Sequence, residues 1–255
     1  PMGKLQMPAG NILRGALIIA SVVTSTIIAG PASAGPKAVA ELFTSQGCSS
    51  CPPADRLVEK LAAGSDILPL ILPVDYWDYL GWKDTLGSPA HSKRQRAYAA
   101  RRGDRSVYTP QIVVNGNEHV VGSNKAAVEA AFKRADAFTA DVSLKVNDMA
   151  IEATVEGDLP DGTHMATVYF LRVKDRETVA IGRGENAGAT VSYVNVVRSL
   201  QPIGMWSGGT ATFRMPKSEL MRSKDNRCAV LIQLENSEGP GRIIGAAIMN
   251  WDAKG

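Results

Sequence analysis

Apolar runs and amphipathic stretches follow one another in the first part of the chain. Residues 38–44 and 67–74 are mostly apolar, which is typical of strands buried on both faces of a sheet. The stretches that begin at Pro52-Pro53 and at Ser88-Pro89 carry apolar residues at helical spacing, and proline is well tolerated in a first helical turn. This part therefore predicts two successive strand–helix units.

A β-hairpin and a third helix are predicted next. Residues 111–114 and 118–121 are short β-type segments, and the Asn115-Gly116 pair between them is typical of a tight hairpin turn. Ser123 then caps a helix whose apolar positions recur at helical spacing. The predicted element order is βαβαββα, which describes an α/β domain.

The pattern changes to alternating apolar and polar residues from about residue 138. Seven strand-like segments are separated by turns rich in glycine, asparagine, aspartate and proline, which predicts an antiparallel β-sandwich. They are residues 140–146, 149–155, 165–173, 189–197, 210–215, 228–234 and 243–249. We therefore expect an α/β domain at residues 35–137 and an all-β sandwich domain at residues 138–255.

Residues 1–34 have the pattern of a secretory signal peptide. Lys4 and Arg14 precede an apolar run, and the small residues of Ala32-Ser33-Ala34 suit signal peptidase. The run is shorter than the ~20 apolar residues that a spanning helix needs. We expect an exported protein, periplasmic or secreted, with no stable membrane span; an uncleaved anchor is the alternative.

Composition narrows the class of partner. The chain has 255 residues, 45% hydrophobic and 21% charged, as is typical of a soluble globular protein. Removal of Lys4 and Arg14 with the signal would lower the formal charge from +3 to +1, which argues against a nucleic-acid binder.

Cys48 and Cys51 are the residues that point most directly to chemistry. They lie between the first predicted strand and helix, where unpaired N–H groups and the helix dipole lower the pKa of a thiol. Cys48 would attack a disulfide as the thiolate, and Cys51 would resolve the mixed disulfide. No second Cys-x-x-Cys completes a structural zinc site, so we expect neither a metal nor a cofactor.

Three features together resemble the thioredoxin and glutaredoxin-type fold: the element order, Cys48-Ser49-Ser50-Cys51, and Thr109-Pro110 before the hairpin. More narrowly, residues 41–55 and 108–111 look like a bacterial family of secreted thioredoxin-like proteins without an established function. The resemblance implies a cis Thr109–Pro110 bond that faces the cysteines, with Thr109 docking an extended substrate. It also implies a proton-transfer role for Glu41, against a purely structural carboxylate.

Two further residue sets have less specific interpretations. Trp77 belongs to an aromatic cluster that leaves the end of the second strand, where open sheets tend to bind ligands, so it is a candidate substrate-facing residue. Packing is the alternative for that cluster. Cys228 opens a buried-strand pattern and is interpreted as an inert core thiol.

The favoured function is that of an exported thiol–disulfide oxidoreductase. Its partners would be protein or small-molecule thiols and disulfides, together with an unidentified redox partner. Two alternatives remain open. One is a non-catalytic binding protein whose disulfide is structural, and the other is a thiol-based copper chaperone, because soft thiolates select Cu(I).

Overall fold

A computed structural model describes residues 2–3, 35–221 and 225–251. The predicted signal peptide, residues 1–34, lies outside the described residues apart from Met2 and Gly3. No helix among the described residues is long and apolar enough to span a membrane.

The elements of the first half follow the order expected from the sequence. They are β1 (Ala38–Thr44), α1 (Pro52–Leu61), β2 (Ile67–Pro73), α2 (Pro89–Arg102), β3 (Gln111–Val114), β4 (Glu118–Val121) and α3 (Lys125–Arg134), with a 3₁₀ turn at Asp78–Leu80.

The second half is almost entirely strand. Its elements are β5 (Ala140–Val146), β6 (Ala150–Gly157), β7 (Ala166–Ala180), β8 (Thr190–Trp206), β9 (Ala211–Pro216), the short helix α4 (Ser218–Met221), β10 (Arg227–Asn236) and β11 (Gly239–Asn250). The seven predicted strand segments are therefore confirmed as strands, although β7 and β8 are longer than expected.

The predicted fold class is wrong, because these strands assemble into different sheets from those expected. Eight strands form one mixed sheet in the order β11, β10, β7, β8, β2, β1, β3, β4, and β5, β6 and β9 form a second, three-stranded sheet. The described residues are mostly β, with 45% in strands and 18% in helices. The fold is neither a βαβαββα thioredoxin domain nor such a domain followed by an all-β sandwich.

The physical reason lies at the edge of β2. A strand edge presents unpaired N–H and C=O groups that must find partners when they are buried. The 17-residue strand β8 is long enough to pair with β7 and also to join β2 in parallel, where Ile71 lies opposite Val196. Alternation identifies strands but not the edges that pair, so the boundary expected between residues 137 and 138 stays a prediction.

Local signals for helix ends and turns are largely confirmed. Ser88 caps α2 by accepting a hydrogen bond from the backbone N–H of Ala90, and α2 ends at Gly103 in the left-handed conformation. α3 is capped by Asn124 rather than by Ser123. In the β3–β4 turn a Cβ at Gly116 would lie 2.3 Å from the carbonyl oxygen of Gly241, so only glycine fits.

Apolar side chains cover both faces of the large sheet. On one face, Ala40 and Leu42 of β1 pack with Ala54 and Val58 of α1, and α3 completes the same cluster. The opposite face of β1 packs toward α2, which contributes Tyr98. The second sheet covers one face of β7, β10 and β11, in a cluster that includes Trp206, Cys228 and Trp251.

A buried ion pair connects the two halves of the large sheet. Glu41 of β1 is fully buried and accepts hydrogen bonds from Arg94 Nε at 2.6 Å and Nη2 at 3.2 Å. Arg94 Nη2 also donates to Tyr98 Oη at 2.7 Å and to Gln233 Oε1 of β10 at 2.9 Å. Tyr98 donates to Glu41 Oε2 at 2.6 Å, so β1, α2 and β10 share one network.

We expect the Arg94→Leu variant to lose about 3–5 kcal/mol in the free energy of unfolding, because it leaves the Glu41 carboxylate buried without its cation. Urea denaturation would measure the loss. The double variant Glu41→Leu/Arg94→Leu should recover much of it, and Lys93→Leu, at an exposed position of the same helix, should cost less than about 1 kcal/mol. Equal losses for Arg94→Leu and Lys93→Leu would show that the pair is not a stability determinant.

Candidate functional site

The centre of the candidate site is a disulfide between Cys48 and Cys51, whose Cα atoms are 5.4 Å apart. The disulfide closes a turn between β1 and α1, in which the Cys48 N–H donates to Ser45 and Cys51 is the N-cap residue of α1. Both cysteines are buried, with exposures of 2% and 0%, whereas Ser49 and Ser50 between them are exposed. Only a small part of the Cys48 side chain is therefore accessible to a reactant.

Trp77 links this turn to the second predicted motif. Its indole Nε1–H donates to Thr109 Oγ1 at 2.8 Å. On its other side, Trp77 packs on Gly47, where an added Cβ would lie 3.2 Å from the Trp77 Cβ atom. Trp77 thus contacts the residue before Cys48 and the residue before Pro110.

The Thr109–Pro110 peptide bond is cis, as the sequence resemblance implied. Pro110 directly precedes β3, whose first residue, Gln111, lies opposite Phe43 near the carboxyl end of β1. The disulfide turn follows that same end of β1. The structure therefore places Thr109 and Pro110 at the same end of the sheet as Cys48 and Cys51.

An exposed aromatic surface adjoins this end of the sheet. Tyr79 is 77% exposed and its ring stacks on that of Trp77, with centroids 6.4 Å apart and planes inclined by 16°. Trp77 is half-buried. The predicted substrate-facing role of Trp77 stays a prediction, and Tyr79 is the more accessible of the two rings.

The loop between β7 and β8, residues 181–189, holds the disulfide turn from the second half of the chain. Asn186 Nδ2 donates to the carbonyl oxygens of Gln46 at 2.9 Å and of Cys48 at 2.8 Å. Trp82 donates to the side chain of Gln46 at 2.8 Å; Gly182 of the loop lies against its ring, and Gly184 lies near its Cβ atom. One asparagine amide therefore ties the β7–β8 loop to the backbone of Cys48.

Asp55 is a buried carboxyl group one helical turn after Cys51. Its backbone N–H donates to the Cys51 carbonyl oxygen, and residues four apart lie on the same side of a helix. Thr44 Oγ1 donates to Asp55 Oδ1 at 2.8 Å. The pKa of Asp55 is raised to about 7, mainly by burial; the Thr44 hydrogen bond opposes the shift, and the nearby charge of Asp84 adds to it. Asp55 can therefore exchange a proton near neutral pH.

Asp84 supports the same turn from the segment before α2. Its carboxylate accepts hydrogen bonds from the backbone N–H groups of Gln46 and Leu86, both at 2.8 Å. Burial raises the pKa of Asp84 and the hydrogen bonds oppose that shift. Tyr193 of β8 lies near both carboxyl groups, and burial together with their charges raises the pKa of its hydroxyl.

Glu41 is not brought together with Cys51. Its side chain is on the face of β1 that packs toward α2, where Arg94 binds it, while α1 packs on the opposite face with Ala40 and Leu42. Adjacent residues of a strand point to opposite faces, which is why the register of an acid in β1 matters. The proton-transfer role of Glu41 stays a prediction. The buried carboxyl group on the same side of α1 as Cys51 is that of Asp55.

Cys228 lies apart from this site in β10. It is a free, fully buried thiol, and burial raises its pKa to about 12, so it is unreactive at neutral pH. Across residues 35–221 and 225–251, three or more His, Cys, Asp or Glu side chains nowhere come together as a metal site.

Residues 39–233 match the family described as "Protein of unknown function (DUF1223)". The chain belongs to this DUF1223 family. Its fold is also similar to the crystal structure of a protein from Agrobacterium tumefaciens, a structural genomics target, with 34% sequence identity and a TM-score of 0.76. The similarity covers 87% of this chain and 97% of that chain. No curated protein matches the chain.

The DUF1223 match extends from β1 into β10, so the matched region of this chain contains the disulfide turn and the β7–β8 loop that contacts it. These comparisons assign neither an activity nor a thioredoxin-like nature.

Two site residues escaped the sequence analysis. Asp55 could have been found, because it occupies the face of α1 that also carries Cys51 and Val58, where an apolar residue is the ordinary choice. Asn186 could not, since its partners are about 140 residues away in the sequence and only the folded sheet brings them together.

We expect Asp55→Asn to stabilise the oxidised protein above pH 7, because the folded pKa of Asp55, about 7, lies above its unfolded value of 3.8. The stability of the parent protein should fall as pH rises from about 4 to 7, by up to about 1.4 kcal/mol per pH unit from this group. Asparagine can still accept the Thr44 hydrogen bond without carrying charge.

Thermal unfolding of the two proteins from pH 3 to 8 would measure the difference, which should vanish near pH 4. The Asp148→Asn variant, at an exposed turn, is the control and should follow the parent protein. A pH-independent difference between Asp55→Asn and the parent would show that the carboxyl group does not titrate in this range.

Proposed function

We propose that this DUF1223 protein is an exported thiol–disulfide oxidoreductase that acts in the periplasm or after secretion. The observation that carries the proposal is the Cys48–Cys51 disulfide at the first turn of α1, with the buried Asp55 carboxyl group one turn further on. The helix N-terminus stabilises a thiolate, which is the species that attacks disulfides.

The proposed cycle balances as a two-electron exchange. In the reduced protein, the Cys48 thiolate attacks one sulfur of a substrate disulfide, forms a mixed disulfide, and releases the other substrate sulfur as a thiolate that takes up a proton. The Cys51 thiolate then attacks Cys48, forms the intramolecular disulfide seen here and releases the second substrate thiol. A substrate dithiol that reduces the oxidised protein runs the same steps in reverse.

Asp55 supplies a place for the proton of Cys51. The inner thiol must lose its proton before it attacks Cys48, and Cys51 is fully buried, so bulk water has little access to it. A carboxyl group with a pKa of about 7 on the same side of α1 can accept that proton at neutral pH and return it during the reverse reaction.

The proposed substrate-docking surface is formed by Thr109, Pro110, Trp77 and Tyr79. Pro110 has no N–H and its carbonyl oxygen already accepts from the Gly122 N–H, so the Thr109 backbone is the part that would pair with an extended substrate segment. The exposed Tyr79 ring provides apolar contact area next to the disulfide turn. A protein or peptide thiol would therefore approach Cys48 over Ser49 and Ser50, which are exposed.

A second candidate function is supported by the burial of both sulfurs. Labile disulfides are usually exposed or strained, whereas Cys48 is only 2% exposed. A disulfide that only staples the loop before α1 would suit a non-catalytic binding protein. The two functions differ in the reduction potential of the bond.

We expect the Cys48–Cys51 pair to have a reduction potential between about −270 and −120 mV, the range of working dithiols. Titration in thiol buffers, with alkylation of the free thiols, would measure it. Cys228→Ala should leave the value unchanged, because that thiol is buried elsewhere.

The Cys51→Ala variant should accumulate a mixed disulfide with a model peptide disulfide, and the Cys48→Ala variant should not. A bond that resists reduction well below about −300 mV would instead support the structural staple.

We expect Asn186→Ala to raise the reduction potential, because the lost hydrogen bonds to Gln46 and Cys48 hold the turn in its disulfide-bonded conformation. A tenfold change in the exchange equilibrium corresponds to about 30 mV, which sets the expected scale. The same titration measures it, with Glu185→Ala as the control, because this exposed neighbour leaves the Asn186 amide in place. An unchanged potential in Asn186→Ala, with the fold intact, would show that the loop does not tune the disulfide.

A further inference from the structure

A cavity on the α2 side of the large sheet lies away from the disulfide. It has a volume of about 330 Å³ and opens between α2 and strands β7, β8, β10 and β11. Pockets that bind small molecules typically have volumes of about 300–1,000 Å³. The size of this cavity therefore suits a small ligand.

Two buried side chains of the cavity wall, His91 and Arg94, each have one nitrogen atom without a hydrogen-bond partner among the described residues. The only fully enclosed side-chain nitrogen or oxygen without a partner, among the described residues, is Nη1 of Arg102. His91 Nε2 and Arg94 Nη1 have no hydrogen-bond partner in the described part of the chain either, so both must reach open space. Both residues line the cavity.

The chemistry of His91 is set by its other nitrogen. Nδ1 lies 2.9 Å from the carbonyl oxygen of Pro73, which can only accept, so Nδ1 carries the proton. The pKa of His91 is lowered to about 4, mainly by burial, with a smaller contribution from the charges of Arg94 and Arg198, so the ring is neutral at physiological pH. His91 Nε2 therefore offers a hydrogen-bond acceptor to the cavity.

Arg94 offers the complementary group. Its side chain is 8% exposed, and Nε and Nη2 are held by Glu41, Tyr98 and Gln233. Nη1 is left as a charged donor in a fixed position, because the rest of the guanidinium cannot move without breaking that network. The cavity thus holds a rigid cationic donor and a neutral acceptor.

The remaining walls divide into charged and apolar parts. Arg198 and Lys93 are exposed cations at the cavity, and Leu72, Leu200 and the ring of Tyr169 provide apolar surface. The one carboxylate of the lining, Glu235, already accepts hydrogen bonds from Tyr169 at 2.6 Å and Thr167 at 2.7 Å. The balance of charge therefore favours an anion with an apolar body.

We propose that this cavity binds a small amphipathic hydroxy acid. The carboxylate of the ligand accepts hydrogen bonds from Arg94 Nη1 and Arg198, and its hydroxyl donates to His91 Nε2. Its apolar body packs on Leu200 and Tyr169. A carboxylate accepts charge-assisted hydrogen bonds from guanidinium groups, and the unused acceptor on His91 distinguishes a hydroxy acid from a simple acid.

Calorimetric titration of the full chain with 3-phenyllactate tests the site. Saturable binding of one equivalent is expected. Binding of 3-phenylpropanoate, which lacks the hydroxyl, should be several-fold weaker, and 3-phenylpropane-1,2-diol, which lacks the carboxylate, should not saturate.

Variants separate this site from nonspecific association. Arg198→Ala should weaken 3-phenyllactate binding about tenfold, and Arg183→Ala, an exposed arginine of the β7–β8 loop, should not change it. His91→Asn keeps a donor near Pro73 but lacks the distal acceptor, so it should bind the two acids equally well.

Failure of 3-phenyllactate to saturate at about 10 mM would overturn the proposal, since weaker binding has little specificity. Equal binding of the two acids by the parent protein would also overturn it, and so would equal effects of Arg198→Ala and Arg183→Ala. Because Arg198 is exposed and the analogue pair is measured on the unmodified protein, neither result depends on whether His91→Asn folds.

Discussion

The carboxylate of Glu41 and the guanidinium of Arg94 lie in an interior where an unpaired charge would be costly. Tyr98 adds a hydrogen bond to the Glu41 carboxylate, and Gln233 accepts one from Arg94 Nη2. Since Glu41 belongs to β1, Arg94 to α2 and Gln233 to β10, one polar network fixes α2 against both parts of the eight-stranded sheet. The disulfide turn directly follows β1, so this arrangement also sets the position of the turn.

The two faces of β1 consequently have different chemistry. The face toward α2 carries the ion pair and, beyond it, a cavity in which Arg94 and His91 keep unused nitrogen atoms. The face toward α1 carries the apolar cluster of Ala40 and Leu42, and α1 places Asp55 on the same side as Cys51. The sheet thus lies between the Arg94 guanidinium and the titrating Asp55 carboxyl group.

The disulfide turn is held by residues that are distant in sequence. Asp84 accepts the Gln46 N–H from the segment before α2, Trp77 joins Gly47 to Thr109, and Asn186 binds the Gln46 and Cys48 carbonyl groups from the β7–β8 loop. A short disulfide loop with so many external contacts is more rigid than a free Cys-x-x-Cys peptide. Rigidity of this kind is compatible with a staple and with a tuned redox pair, which is why the reduction potential decides between them.

Local signals were sufficient for the elements and for part of the site. Helical spacing with Ser88 and Gly103 at the ends of α2, the Asn115-Gly116 turn, and alternation in the second half all predicted elements that exist, because each depends on interactions within a few residues. Cys48 and Cys51 were identified for the same reason. The partner of each strand edge, the pairing of Glu41 with Arg94 and the contact of Asn186 with Cys48 were decided only by tertiary structure, since hydrogen bonds between elements depend on which surfaces meet.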